Sequence, residues 1–254
     1  MSRLIQRLCQ AGIWLYALLH SAFYMAVFFA LCWLLGASKE LTLAVLGVGA
    51  TGSLFATPAI VRALGFDALE AMAMTIATTL LLPLALFIPI HFFPYASGSL
   101  DFVTYGIRLL VFIAGPILIS YLLHRCLPQE KLQRLLLKIS PYTILLVFAF
   151  PFGLVGSYRL LWDQNISEAL MFLGIAVGLV SFFFVVTFFC YRHLGVDMSL
   201  TAAITSGNRN VLLTYSIAGM LLGPAFLPLA GAMQVPTYLL PVITRRLAKY
   251  LNSN

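Results

Sequence analysis

The sequence predicts an all-α integral membrane protein of about eight transmembrane helices, and three observations carry the prediction. Hydrophobic residues make up 62% and charged residues 9% of the 254-residue chain, whereas a soluble domain of this length carries about a quarter charged residues. The mean hydropathy is +1.01, so a soluble fold would leave too much apolar surface in water. The apolar runs also exceed the roughly 10 residues of a tilted barrel strand, which points to helices. A single polytopic domain over 1–254 is expected.

A membrane helix needs about 20 apolar residues, and charge-bounded runs of that size fall at 11–36, 41–61, 68–93, 103–123, 141–161, 169–190, 199–222 and 225–244. The first follows Arg3 and Arg7 as a signal peptide would, but it is too long for an h-region and lacks a small-x-small cleavage pattern. It reads as a retained span. The second, "LTLAVLGVGATGSLFATPAIV", holds Gly47, Gly49 and Gly52 and then Thr57-Pro58. Pro58 removes a backbone donor and biases Thr57 away from the α region. The third puts Thr75, Thr78 and Thr79 within one turn, where such hydroxyls either share a helix face or bond back to their own helix carbonyls.

Between the fourth and fifth runs, "HRCLPQEKLQRLLLKIS" places Leu132, Leu135 and Leu136 on one helical face, with Lys131, Arg134 and Lys138 mostly off it. It reads as an amphipathic connector on the inner leaflet or a solvated turn. The seventh run carries "TSGNRN" (205–210), where Gly207 and the amides weaken a helix. Each interrupted run is followed by one more span. Broken spans at matching positions of two halves are the sequence mark of a secondary transporter's site, where freed amides and carbonyls meet substrate or cations.

With the N-terminus inside, the inner segments hold Arg3, Arg7, Arg62, Arg125, Lys131, Arg134, Lys138, Arg192, Arg245, Arg246 and Lys249. Outer segments keep little beyond Lys39, Arg108 and Arg159. That bias predicts cytoplasmic termini, and a bacterial inner (plasma) membrane is the expected location. The net charge of +7 is thereby a topology signal, and no nucleic-acid partner is expected. Cys9, Cys32, Cys126 and Cys190 show neither CxxC nor paired Cys/His spacing, so they read as small hydrophobes, with no metal site and no cofactor. "NIS" at Asn165 matches a glycosylation sequon by pattern.

Arg209 lies about 11 residues from either end of its run, near the midplane at 1.5 Å per residue. An arginine there costs roughly 2.5–3.5 kcal/mol to insert, so it faces the bundle interior or a wet cavity. Asp67 and Glu70 are nearer the inner surface, which leaves two readings: Arg209 binds carbonyls and locks helices, or it faces an anion. His20 reads as a packed or carbonyl-bonded histidine. No His/Asp/Glu constellation, Ser-Lys or Ser-His pair suggests an enzyme.

In order and spacing, "TGSLFATP" (51–58), "ALEAMAMTIATTLLLP" (68–83) and "TSGNRN" (205–210) resemble the bile acid:sodium symporter family. That family's crossing helices carry a "GGTASN"-like stretch, then a Ser/Thr-rich helix, and in the second repeat "ETGxQN". The resemblance runs from about residue 11 onward. It implies an inverted-repeat transporter fold of ten helices with two discontinuous crossing helices, divided into core and panel domains. On that pattern 11–93 resembles the last three helices of the first repeat and 103–244 the five-helix second repeat. The opening helix pair is then missing, so the chain is shortened, lives with a reduced panel, or uses a homo-oligomer or partner to complete it.

The resemblance carries the family's sodium-site positions onto Thr57, Pro58, Ala71, Thr75, Thr205 and Arg209. Thr57 and Thr75 keep a hydroxyl and Asn210 keeps the final amide, but the carboxylate is gone. Na⁺ and a guanidinium about 4 Å apart repel by roughly 4 kcal/mol at an effective dielectric of 20, so sodium is disfavoured. Arg209 could instead supply permanently the charge that sodium supplies transiently, assisted by half-helix dipoles. The expectation is a secondary transporter of an organic anion, with Arg209, Asn208 and Asn210 contacting it and Thr57, Thr75, Thr205 and Ser206 in support. The alternatives are a sodium-coupled symporter with a rearranged site, or a non-transporting or truncated membrane protein.

Overall fold

A computed structural model describes residues 2–93 and 102–252. The described residues are almost wholly helical. A short helix α1 (Ser2–Leu8) precedes α2 (Ala11–Leu34), which passes through one π-turn at Leu19–Phe23. The first broken helix follows as α3 (Lys39–Ala50) and α4 (Thr57–Ala63). Ser38 caps α3 by accepting from Leu41 N, and Pro58 sits in the first turn of α4, where a missing N–H leaves no bond unmade. Helix α5 (Ala68–Phe92) is capped by Asp67, whose carboxylate accepts from Leu69 N and Glu70 N.

Helix α6 spans 102–126 with a π-turn at Leu110–Ala114, and α7 is Gln129–Gln164. Next come α8 (Ile166–Tyr191) and the second broken helix, α9 (Val196–Gly207) and α10 (Val211–Ala218). The chain closes with α11 (Phe226–Ala232) and α12 (Gln234–Asn252). Asn165, the sequon residue, serves as the N-cap of α8, accepting from Glu168 N at 3.2 Å.

Four helical stretches are long and apolar enough to cross a membrane, namely Ala11–Leu34, Ala68–Phe92, Ile166–Leu194 and Phe226–Leu251, which is consistent with an integral membrane protein. The runs at 41–61 and 199–222 are the two broken helices. The run at 103–123 is interrupted by its π-turn, and that at 141–161 lies within α7, with several of its side chains outside the described residues. The expected amphipathic connector is not a separate element: it forms the first turns of α7, a helix of 36 residues. Gln, Glu, Lys, Leu and Arg are good helix formers, so nothing there ends the helix. Leu132 is buried while Leu135 and Leu136 are exposed.

The core lies where the broken helices meet the continuous ones. Helix α8 packs along α9, α2 along α5, and α11 against α7 and α8. Small residues permit these approaches: a Cβ added at Gly231 would lie 2.6 Å from the Leu154 carbonyl oxygen on α7. Helix α6 differs, for nearly all its described side chains are exposed and its main packing among the described elements is on α10 and α7.

Candidate binding site at the paired helix breaks

The two broken helices meet at their breaks. Leu54 N donates to Asn208 O at 2.8 Å and Asn210 N to Gly52 O at 2.9 Å, so Ser53 and Arg209 pair as an antiparallel bridge. Each break thus satisfies backbone groups that the other has freed, which an apolar surround demands. Gly52 is required because a Cβ there would lie 3.2 Å from the backbone of Thr78 and Thr79. Thr78 Oγ1 in turn accepts from Ser53 N at 3.1 Å, tying the first break to α5. In the second break Asn210 caps α10, accepting from Leu213 N at 3.3 Å.

Arg209 is 3% exposed. Its Nη1 donates to three backbone carbonyls, Thr51 O at 2.7 Å and Gly49 O and His20 O each at 3.3 Å. The guanidinium carbon lies 3.5 Å from the centroid of the Phe183 ring and 5.6 Å from that of Tyr24, a cation–π arrangement. Its Nε and Nη2 have no partner in the protein. The carboxylates of Asp67 and Glu70 are engaged elsewhere: Arg7 lies 3.1 Å from Glu70 and 3.4 Å from Asp67. The carbonyl-bound reading of Arg209 therefore holds for one nitrogen, and the other edge of the fork stays open.

Further polar side-chain atoms at or next to the two breaks are buried without a hydrogen-bond partner, namely both amide atoms of Asn208 and the hydroxyl of Thr57, whereas the hydroxyls of Ser53 and Ser206 lie against Tyr16 and Tyr24. Buried polar atoms are paired in the large majority of cases, so such a concentration marks a site. Other predicted residues are engaged locally. Thr205 Oγ1 donates to Thr201 O at 2.6 Å, Thr75 Oγ1 to Ala71 O at 2.8 Å and Thr79 Oγ1 to Thr75 O at 2.8 Å. Asn210 spends its side-chain oxygen on the cap, Ala71 is fully buried on α5, and Pro58 begins α4. Among the described residues no group of three or more His, Cys, Asp or Glu side chains could hold a metal.

Some residues of the site are not among those predicted. Tyr16, His20 and Tyr24 recur every fourth residue along α2 and are all buried. His20 Nε2 lies 3.1 Å from Thr51 O, an acceptor shared with Arg209, and its ring stacks on Phe183 at 6.5 Å. Tyr24 shares a short hydrogen bond with Thr187 at 2.5 Å. Tyr16 donates to Ala202 O at 3.3 Å. The signal for this stripe was the i, i+4, i+8 recurrence of polar aromatics inside an apolar run. The carbonyl acceptors carry no sequence signal at all.

Of two cavities, one lies away from the breaks and one touches them. The larger, about 840 Å³, is lined by Arg7, Asp67, Glu70, Tyr191, Asp197 and Thr201, with Ile13 and Met74 among its apolar lining. The smaller, about 250 Å³, includes Arg209 and Asn210 in its wall, with Leu54, Phe55, Leu154 and Val211. Compared with known proteins, the chain matches no family model and no curated protein. The chemistry of the breaks themselves has to carry the functional reading.

Proposed function

We propose that this protein is a secondary membrane transporter of an organic anion, with the anion held at the paired helix breaks. The observation that carries the reading is the open edge of Arg209. Nε and Nη2 form the side-on pair of parallel N–H donors that grips a carboxylate in two hydrogen bonds, and both are buried without an acceptor. Asn208 and Thr57 supply further unpaired polar atoms. The N-terminus of α10 adds the positive end of its dipole.

The carbonyls of His20, Gly49 and Thr51 would suit a bound cation, and Nη1 occupies them. The guanidinium then acts as a tethered cation, and anion binding needs no sodium. On this reading the chain has about eight spans in an inverted-repeat arrangement like that of the bile acid:sodium symporter family. Both termini are cytoplasmic, in a bacterial inner membrane.

The test is uptake of a panel of labelled organic acids into proteoliposomes, with and without Na⁺. We expect saturable uptake that needs no sodium gradient, is abolished by Arg209→Ala and is largely lost in Arg209→Lys, whose ammonium lacks the planar fork. Uptake indifferent to Arg209→Ala would overturn the reading, and uptake requiring a sodium gradient would establish a rearranged sodium site instead. One observation favours a non-transporting role, the three carbonyls on Nη1, which suit a purely structural clamp. Its mark is a folded protein without saturable uptake of any anion.

A further inference from the structure

We propose that Tyr16 is the closure between the larger cavity and the helix breaks, so that movement of this one side chain opens a second route to them. What the route carries rests on the transport reading above, while the closure itself is tested without transport.

The larger cavity runs from solvent toward the core. At its mouth stand Arg7 and Asp67, whose side chains are 39% and 48% exposed. Its deeper wall includes Ile13, Met74 and Thr201, each no more than 1% exposed. Tyr16 is next to that wall and wholly buried. It shares one small apolar cluster with Ile13 and Met74, and its ring meets that of Tyr191, another residue of the wall, edge-on at 5.8 Å.

The same side chain also reaches the breaks. Its hydroxyl lies against that of Ser53, the bridge partner of Arg209. Its ring centroid is 5.5 Å from that of His20, whose carbonyl accepts from Arg209. Tyr16 therefore joins the cavity wall on one hand to the bridge on the other, with no further side chain needed between them.

The surroundings of the ring make it the closing group. Apart from Ile13 and Met74, its cluster consists of Ala17, Ala73, Ala77 and Ala202, which are too small to fill the space that the ring would vacate. The polar end is lightly held, for the hydroxyl donates to Ala202 O at 3.3 Å, a long bond for an O–H donor. A transport site must be reached from two sides in turn. The smaller cavity already has Arg209 and Asn210 in its wall, so the side that is shut is the one behind Tyr16.

The test is modification of Ser53→Cys in nanodiscs by a membrane-impermeant, sulfonate-bearing methanethiosulfonate, read residue by residue by mass spectrometry. Exposed Cys9 and buried Cys32 serve as references in the same molecule. We expect the introduced thiol to stay inert with Tyr16 or Tyr16→Phe in place and to react at least about tenfold faster in Tyr16→Ala, because a thiol reacts only where the reagent reaches it. Should Tyr16→Ala fail to fold, Tyr16→Leu, which loses the ring but keeps an apolar side chain, carries the same expectation. Equal reactivity in all backgrounds, or in none, overturns the closure. So does reaction of Cys32 alongside, which would mean general loosening. The labelling needs no substrate: faster reaction in Tyr16→Ala with no uptake of any organic acid supports the closure and sinks the transport reading alone.

Discussion

The two breaks occupy one place in the fold, and beyond the reciprocal Leu54 N–Asn208 O and Asn210 N–Gly52 O bonds they bring unlike chemistry to it. The break at 51–56 and the turn before it offer oxygens: Gly49 O and Thr51 O take Arg209, and Gly52 O takes Asn210 N. The break at 208–210 offers donors, above all the guanidinium of Arg209. Either break alone would strand polar groups in an apolar surround at a cost of several kcal/mol each. Paired, each supplies what the other lacks. A broken helix in such a chain is therefore intelligible only with its complement.

The largest expected effect comes from deleting the donor side. Arg209→Ala leaves the His20, Gly49 and Thr51 carbonyls without their shared donor and should cost about 1–3 kcal/mol of stability, read as a lowered unfolding midpoint in detergent. A loss below about 1 kcal/mol would mean that the acceptors find other partners and that the pairing matters little.

Placing the same substitution in each break sharpens the contrast. At Gly52 a Cβ meets the backbone of Thr78 and Thr79 at 3.2 Å, which cannot retreat, so Gly52→Ala should cost about 1–3 kcal/mol. At Gly207 it meets Leu240 Cδ2 at 2.5 Å, the end of a flexible side chain. Gly207→Ala also gains helix propensity of about 1 kcal/mol and should come out near neutral. The reverse order in thermal unfolding would break the comparison.

Phe183→Leu keeps an apolar side chain but removes the ring face under Arg209, and should cost about 0.5–2 kcal/mol, measurable by chemical unfolding. Smallest is Thr57→Val. The hydroxyl is fully buried without a protein partner, so its removal should leave stability unchanged or raise it by about 1 kcal/mol. If Thr57 also touches the anion, uptake of organic acids into proteoliposomes will fall in the same variant. A clear loss of stability would reveal a partner inside the protein.

Much of this was legible from particular residues. Gly52, Thr57-Pro58 and Gly207 with its amides located both breaks, because glycine, proline and asparagine weaken helices by local chemistry. Arg209 stood out as a charge near the centre of an apolar run. The threonines of α5 were open to two readings, and back-bonding to their own helix carbonyls prevailed. Less legible was the continuity of α7 through "QEKLQRLLLKIS", since charge patterning suggested a surface element while helix propensity favoured continuation. The stripe of Tyr16, His20 and Tyr24 was present in the spacing but could not be connected to Arg209, because the two are far apart along the chain.

By itself the sequence determined that this chain is helical and apolar, that two of its helices break, and that a fixed positive charge must lie inside rather than face lipid. Those outcomes follow from side-chain chemistry, which each residue carries wherever it goes. What the guanidinium meets was decided only by the tertiary structure. Its acceptors are the main-chain oxygens of residues 20, 49 and 51, and every residue type has such an oxygen. Which of them converge on Nη1, and which leave Nε and Nη2 open, depends on how α2, α3 and α8 pack around the breaks.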